Sequence, residues 1–83
     1  MEKEAIFDLV VTHTSEVIPA LKSHSFKPEE TLKELGANSL DRTDILDELM
    51  EALSLDVPRV ELFGTRNIGE LVELLYQYAQ ENN

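Results

Sequence analysis

Apolar residues recur at three- and four-residue spacing along most of the chain, and no stretch alternates with the period of two that marks a strand. The spacing predicts an all-α fold of four helices, the third one short. Ile6, Leu9, Val10, His13, Val17 and Leu21 share one face of a first helix, Ala5 to Leu21. Pro19 falls late in that pattern and is expected to weaken or bend the last turn. A long connection follows, Lys22 to Asn38. Within it, Thr31-Leu-Lys-Glu34 has the capping-box pattern and is expected to start one turn. Leu32 and Leu35 would then pin the loop to the core, and Gly36 would end the turn in a left-handed conformation. Ser39 to Leu53 reads as a second helix, with Ser39 as N-cap and Asp41 and Asp44 near the positive end of its dipole. Pro58 opens a short third helix to Phe63, with Gly64 as its stop. Asn67-Ile-Gly-Glu70 resembles another capping box and opens a fourth helix. Ile68, Leu71, Val72, Leu74, Leu75 and Tyr78 give that helix a broad apolar face. Gln80 to Asn83 is expected to fray.

The second helix divides most cleanly. At about 100° per residue, Ile45, Leu46, Leu49, Met50 and Leu53 gather on one side. Leu40, Asp44, Asp47 and Glu51 form a stripe on the other, widened by Asp41 and Glu48. Arg42 breaks the pattern by projecting toward the apolar side, and in the first turn it is expected to snorkel past the end of the core. Like charges three and four apart cost a few tenths of a kcal/mol per pair. A solvated face on an acidic protein would explain the stripe. A docking face for basic partners would explain it too, and Leu40 favours the second: an exposed apolar residue ringed by charge can anchor an interface.

Length narrows the choice. The chain has 83 residues, which is one domain, 1–83. A domain of this size buries roughly 60% of its unfolded surface, enough for a thin core and hardly for a deep catalytic pocket as well. Charge narrows it further. Seventeen Asp and Glu against seven Lys and Arg give a net charge of −10. Most of it lies in the second half: residues 1–38 carry −3 and residues 39–83 carry −7. Nucleic acid and anionic membrane are poor partners for such a chain, and a basic protein surface is its natural complement. Self-repulsion favours a monomer.

Cysteine is absent, so no disulfide, thiolate zinc site or cysteine nucleophile is possible, which suits a cytoplasmic protein. Met1-Glu2-Lys3-Glu4 is not the start expected of a signal peptide, and no apolar run approaches the roughly 20 residues of a membrane span. Two histidines without cysteine do not make a usual structural zinc site, and no metal is expected. His13 reads as a partly buried core residue and His24 as a loop residue with no obvious partner. The acids of the second helix do not follow the calcium-loop pattern. No carboxylate pair falls in an identifiable cleft. Thr12, His13, Thr14 and Ser15 are neighbours in sequence, but a helix points them apart. Phe26, Phe63, Tyr76 and Tyr78 read as core and rim.

One segment changes the picture. Leu35-Gly-Ala-Asn-Ser39-Leu40 resembles the attachment motif of acyl carrier proteins, Leu-Gly-x-Asp-Ser-Leu at the start of a second helix. The match continues on the family's spacing with Asp44 and Ile45, then Glu48 and Leu49. It extends over nearly the whole chain: first helix, long loop, Ser-led helix, short helix, last helix. The resemblance implies an acyl-carrier-protein-like four-helix bundle that is not itself an enzyme. It implies that Ser39 bears 4′-phosphopantetheine, transferred from coenzyme A by a phosphopantetheinyl transferase. A helix N-terminus suits the phosphodiester. The arm would supply the thiol the chain lacks and hold an acyl group as a thioester.

On this reading Leu40, Asp41, Asp44, Asp47, Glu48 and Glu51 present the partner face. Ile45, Leu46, Leu49, Phe63, Ile68 and Leu71 are the candidates to line an acyl cleft, and Arg42 is a candidate to flank the phosphate. Asn38 stands where the family usually has Asp, which leaves the turn intact and bears on which synthase modifies Ser39. Gly36-Ala-Asn-Ser-Leu-Asp-Arg42 is most similar to stand-alone carriers of bacterial polyketide β-branching cassettes. That likeness implies a donor carrier holding malonyl and then acetyl. Its partners would be an acyltransferase, a ketosynthase-like enzyme and an enzyme similar to hydroxymethylglutaryl-CoA synthase. Two other readings stay open: a carrier of fatty-acid synthesis, weakly disfavoured by Asp47 where many such carriers place an apolar contact residue, and an unmodified acidic helical adaptor that binds a basic protein.

Overall fold

The computed structural model describes residues 1–81. Four α-helices follow in order: α1 Lys3–Val17, α2 Ser39–Leu53, α3 Arg59–Phe63 and α4 Ile68–Glu81. There is no strand among the described residues. α1 packs against both α2 and α4. The core is built from the stripes the periodicity picks out. Ile6 and Val10 of α1 meet Ile45, Leu46 and Leu49 of α2 and Ile68, Leu71, Val72 and Leu75 of α4, all buried. Leu55, Val57 and Leu62 close the side of α3.

Several boundaries differ from the expected ones, among them the start of α3, at Arg59 with Pro58 as its cap. α1 begins at Lys3 and ends at Val17, not at Leu21. Ile18 precedes Pro19, and the ring disfavours helical backbone at the residue before it. Ile18 accordingly leaves the helix at φ −123° and ψ 86°, and Pro19–Ser23 continue as a single 3₁₀ segment. At the other end of the chain, α4 runs through Gln80 and Glu81, two residues of the expected frayed tail; its residues 82–83 lie outside the described residues. The N-cap of α2 is Asn38, and Ser39 is the first helical residue.

The long connection is stitched down rather than loose. Thr31 and Glu34 form the expected reciprocal pair: Glu34 N–H donates to Thr31 Oγ1 at 3.0 Å, and Thr31 N–H donates to Glu34 Oε1 at 3.1 Å. Gly36 follows at φ +103°, a conformation that side chains resist. Leu32 and Leu35 pack on the core. The first N–H groups of α4 have no partner inside their own helix, and the loop supplies carbonyls for two of them. Ile68 N–H donates to Glu30 O and Gly69 N–H to Pro28 O, both at 2.9 Å. Gly69 eases that approach: a Cβ there would stand 3.2 Å from Pro28 Cβ, closer than ordinary contact.

His24 has a partner after all. Its Nε2 lies 2.9 Å from Glu30 Oε2, and its ring meets Phe26 edge-on at 5.1 Å. Glu30 also accepts from Lys27 N–H at 2.7 Å. That backbone donor, and after it His24, holds the Glu30 carboxyl below the usual range.

Candidate functional site

The site begins with the turn before α2. Ala37 is buried, and its N–H donates to Leu32 O at 3.0 Å, which fixes where the chain enters the helix. Asn38 and Asp41 then cap each other. Asp41 N–H donates to Asn38 Oδ1 at 2.8 Å, and Asn38 N–H donates to Asp41 Oδ2 at 3.2 Å. The pair satisfies two donors that a helix start leaves open. It also turns the Asp41 carboxylate toward Asn38.

Ser39, released from capping, is exposed at the first position of α2. Its Oγ lies 3.4 Å from Nη2 of Arg42, whose Nη1 donates to Ala37 O at 2.8 Å. Arg42 therefore does not merely pass the end of the core: it folds back over the turn and places a fixed positive charge beside the hydroxyl. The helix N-terminus adds its partial positive charge at the same place. A guanidinium donates and takes no proton, and no other side chain of the described residues hydrogen-bonds to Ser39 Oγ. The arrangement presents a hydroxyl and favours an anion attached to it.

Arg42 joins Ser39 to a cleft of about 270 Å³ that opens between the 31–33 turn, α2, α3 and the start of α4. Leu46, Phe63, Ile68 and Leu71, four of the six predicted cleft residues, line it. Ile45 and Leu49 do not, being fully buried within the core. Leu32 and Leu62 complete the apolar wall, and Lys33, Arg42 and Arg66 supply cationic lining that periodicity could not reveal.

The predicted partner face is only partly free. Leu40 is 76% exposed, and Asp44 and Glu51 are exposed without an ion-pair partner among the described residues. Asp41 is occupied by the cap. Asp47 pairs with Arg59 at 2.8 Å and so ties α2 to α3. Glu48 turns toward α1, where its Oε1 lies 2.8 Å from His13 Nδ1. α3 adds two apolar side chains to the exterior, Val60 at 80% and Phe63 at 48% exposure. Val60 lay outside every stripe assigned from spacing.

Comparison with known proteins agrees with this geometry. Residues 8–75 match the family model described as "Phosphopantetheine attachment site". The chain is 50% identical over 80 residues to the polyketide biosynthesis acyl-carrier-protein AcpK of Bacillus subtilis (strain 168), covering 96% of this chain and 98% of the relative. It is 29% identical over 77 residues to an acyl carrier protein of Guillardia theta, covering 93% and 95%. A solved structure also matches, from a crystal of the HMG synthase of the curacin biosynthetic pathway in complex with its acetyl donor-ACP. That match has a TM-score of 0.83 and 41% identity, and it covers 92% of this chain and 96% of the other. The helical order, the Ser-led second helix and these matches together show that the chain belongs to the phosphopantetheine-attachment family and is an acyl carrier protein, which bears a covalent 4′-phosphopantetheine.

Proposed function

We propose that Ser39 is the attachment point and that the chain serves as the donor carrier of a β-branching cassette in bacterial polyketide biosynthesis. The observation that carries the assignment is the position of Ser39: exposed, first in α2, and 3.4 Å from the Arg42 guanidinium. The residues present fit the group. The Ser39 Oγ is reachable, the α2 N–H groups and Arg42 favour the phosphodiester, and Asp41, the nearest acid in sequence, is turned into the cap. When bound, the arm supplies a terminal thiol that holds an acyl group as a thioester. The protein's own residues position, recognise and shelter. They catalyse nothing; partner enzymes do the chemistry.

The cleft bears on the kind of acyl group. At about 270 Å³ it has room for a short acyl group such as malonyl or acetyl. Leu40, Asp44 and Glu51, free of internal bonds, offer partners an apolar anchor with acid around it. The partners we assign are a phosphopantetheinyl transferase, an acyltransferase, a ketosynthase-like enzyme and a hydroxymethylglutaryl-CoA-synthase-like enzyme, in the bacterial cytoplasm. Among the described residues no helix is long and apolar enough to cross a membrane. The pathway assignment is supported by the likeness to AcpK and to the acetyl donor-ACP.

Its test is acetyl transfer. The chain, charged with acetyl, is mixed with an HMG-CoA-synthase-like enzyme of a β-branching cassette, and both masses are followed. Loss of acetyl from this chain and its gain by the enzyme is the expected result. A chain that keeps its acetyl there but gives it up to fatty-acid-synthesis enzymes would move the assignment to that pathway.

A further inference from the structure

Away from Ser39 and the cleft, one cluster of ligating side chains has no part in carrying an arm. His13 and Glu16 stand three residues apart on α1, and Glu48 reaches across from α2. Both carboxylates approach the same ring nitrogen. His13 Nδ1 is 2.8 Å from Glu48 Oε1 and 3.9 Å from Glu16 Oε2, and the three ligand atoms lie within 4.8 Å of one another. The His13 side chain is only 19% exposed and is held between the helices. The carboxylates, 62% exposed at Glu16 and 41% at Glu48, are free to adjust.

The spacing fits one kind of ion. Two ligands at about 2.0–2.1 Å from a tetrahedral centre are about 3.4 Å apart. The observed 2.8 and 3.9 Å separations from His13 Nδ1 bracket that value, and the two carboxylate oxygens lie within 4.8 Å of each other, so small rotations of the two glutamate side chains would close the set. Charge points the same way. Two carboxylates against one imidazole leave an excess of negative charge, in a chain that already carries −10. A nitrogen ligand selects against Mg²⁺ and Ca²⁺, which prefer all-oxygen shells, and for ions that accept imidazole. We propose that His13, Glu16 and Glu48 form a three-ligand site for a divalent cation of the Zn²⁺ type, with the fourth position left to water. Glu48 lies nine residues beyond Ser39, about 13 Å along α2, so the ion does not meet the attachment point. Its effect is mechanical: it fastens α1 to α2 and keeps Glu48 off the free face that carries Leu40 and Asp44.

The experiment uses the full chain before modification, because the thiol of the arm would itself bind zinc. Zn²⁺ is titrated by calorimetry, and Co²⁺ replaces it as a spectroscopic and paramagnetic probe. The expected result is one saturable Zn²⁺, a rise in Tm, and Co²⁺ perturbation centred on the His13 ring. His13→Gln and Glu48→Gln should each weaken binding about tenfold or more. His24→Gln should leave it unchanged, and a large excess of Mg²⁺ should not displace the ion. Circular dichroism shows whether each variant keeps its helices. Absence of saturable binding overturns the proposal. So does a Zn²⁺ affinity that folded His13→Gln retains, or Co²⁺ perturbation centred on His24 or on Asp44 and Glu51.

Discussion

The Arg42 guanidinium spans the turn into α2, holding the Ala37 carbonyl at 2.8 Å with one nitrogen while the other lies 3.4 Å from Ser39 Oγ. An arginine so placed positions the serine and offers its charge to whatever anion the serine bears. Arg42→Gln should lower kcat/KM for phosphopantetheinyl transfer by about tenfold, close to 1.4 kcal/mol. Arg42→Lys should restore part of the loss, since a lysine brings the charge without the two-armed geometry. Helical content and melting in the same variants separate positioning from unfolding. Unchanged transfer in Arg42→Gln would remove the residue from the site.

Asn38 is the cap that frees Ser39 for other work. Asn38→Ala removes the acceptor for Asp41 N–H and should cost about 1 kcal/mol of stability. Asn38→Asp keeps an acceptor at that place and should preserve the fold. Urea unfolding of the two variants checks the difference. Equal stability of wild type and Asn38→Ala would mean that the cap contributes nothing.

Thr14 is buried at 0% exposure, and its Oγ1 has no hydrogen-bond partner. A hydroxyl in that state is a cost rather than a contribution. Thr14→Val keeps the shape and removes the unsatisfied oxygen. It should stabilise the protein by about 1 kcal/mol, raising Tm by about 4–8 °C. Thermal melting decides it; a lower Tm would show that the oxygen is satisfied in solution.

The Glu30 carboxyl, held low by Lys27 N–H and His24, links loop order to acid. A carboxyl lowered in the folded state contributes stability above its unfolded value, and that contribution is lost as pH falls through the folded one. Loop resonances of Lys27 and of Ile68, which bonds to Glu30 O, should therefore hold steady through the ordinary carboxylate range and move only at lower pH. In an NMR titration Glu30 should protonate below the usual glutamate range. Glu30→Gln should abolish the late step. A Glu30 that titrates within the usual glutamate range would show that the lock does not form.

Much of this architecture was legible in the residues. The α2 limits, the Thr31–Glu34 turn and the left-handed Gly36 follow from local patterns whose partners sit three or four residues apart. Some of the misses have a different cause. Nothing local shows that Glu30 and Pro28 carbonyls meet the start of α4, or that Glu48 turns to His13, because those partners are far apart in sequence. The end of α2 falls at Ser54 in left-handed conformation, φ 54°, without the glycine that usually marks such an end. The Asn67 box is half reciprocal: Glu70 N–H donates to Asn67 Oδ1, while the Glu70 carboxylate accepts from Arg66 N–H instead. Ser39 is the first helical residue of α2 rather than the expected cap. The Asn38-Ser-Leu-Asp41 spacing already contained the box that displaces it. Four of the six expected residues line the cleft and two lie in the core, because an apolar stripe runs from core to cleft without a change of residue type. Only packing shows where one becomes the other.

The central claim is that Ser39 receives the prosthetic group, and intact mass tests it most directly. The purified chain is incubated with coenzyme A, Mg²⁺ and a broad-specificity phosphopantetheinyl transferase, beside Ser39→Ala under the same conditions. Wild type should gain one phosphopantetheinyl group, and a folded Ser39→Ala should gain none. A folded wild type that gains nothing from several transferases, or a Ser39→Ala that is still modified, would contradict the account and leave Ser39 as no more than the first residue of α2.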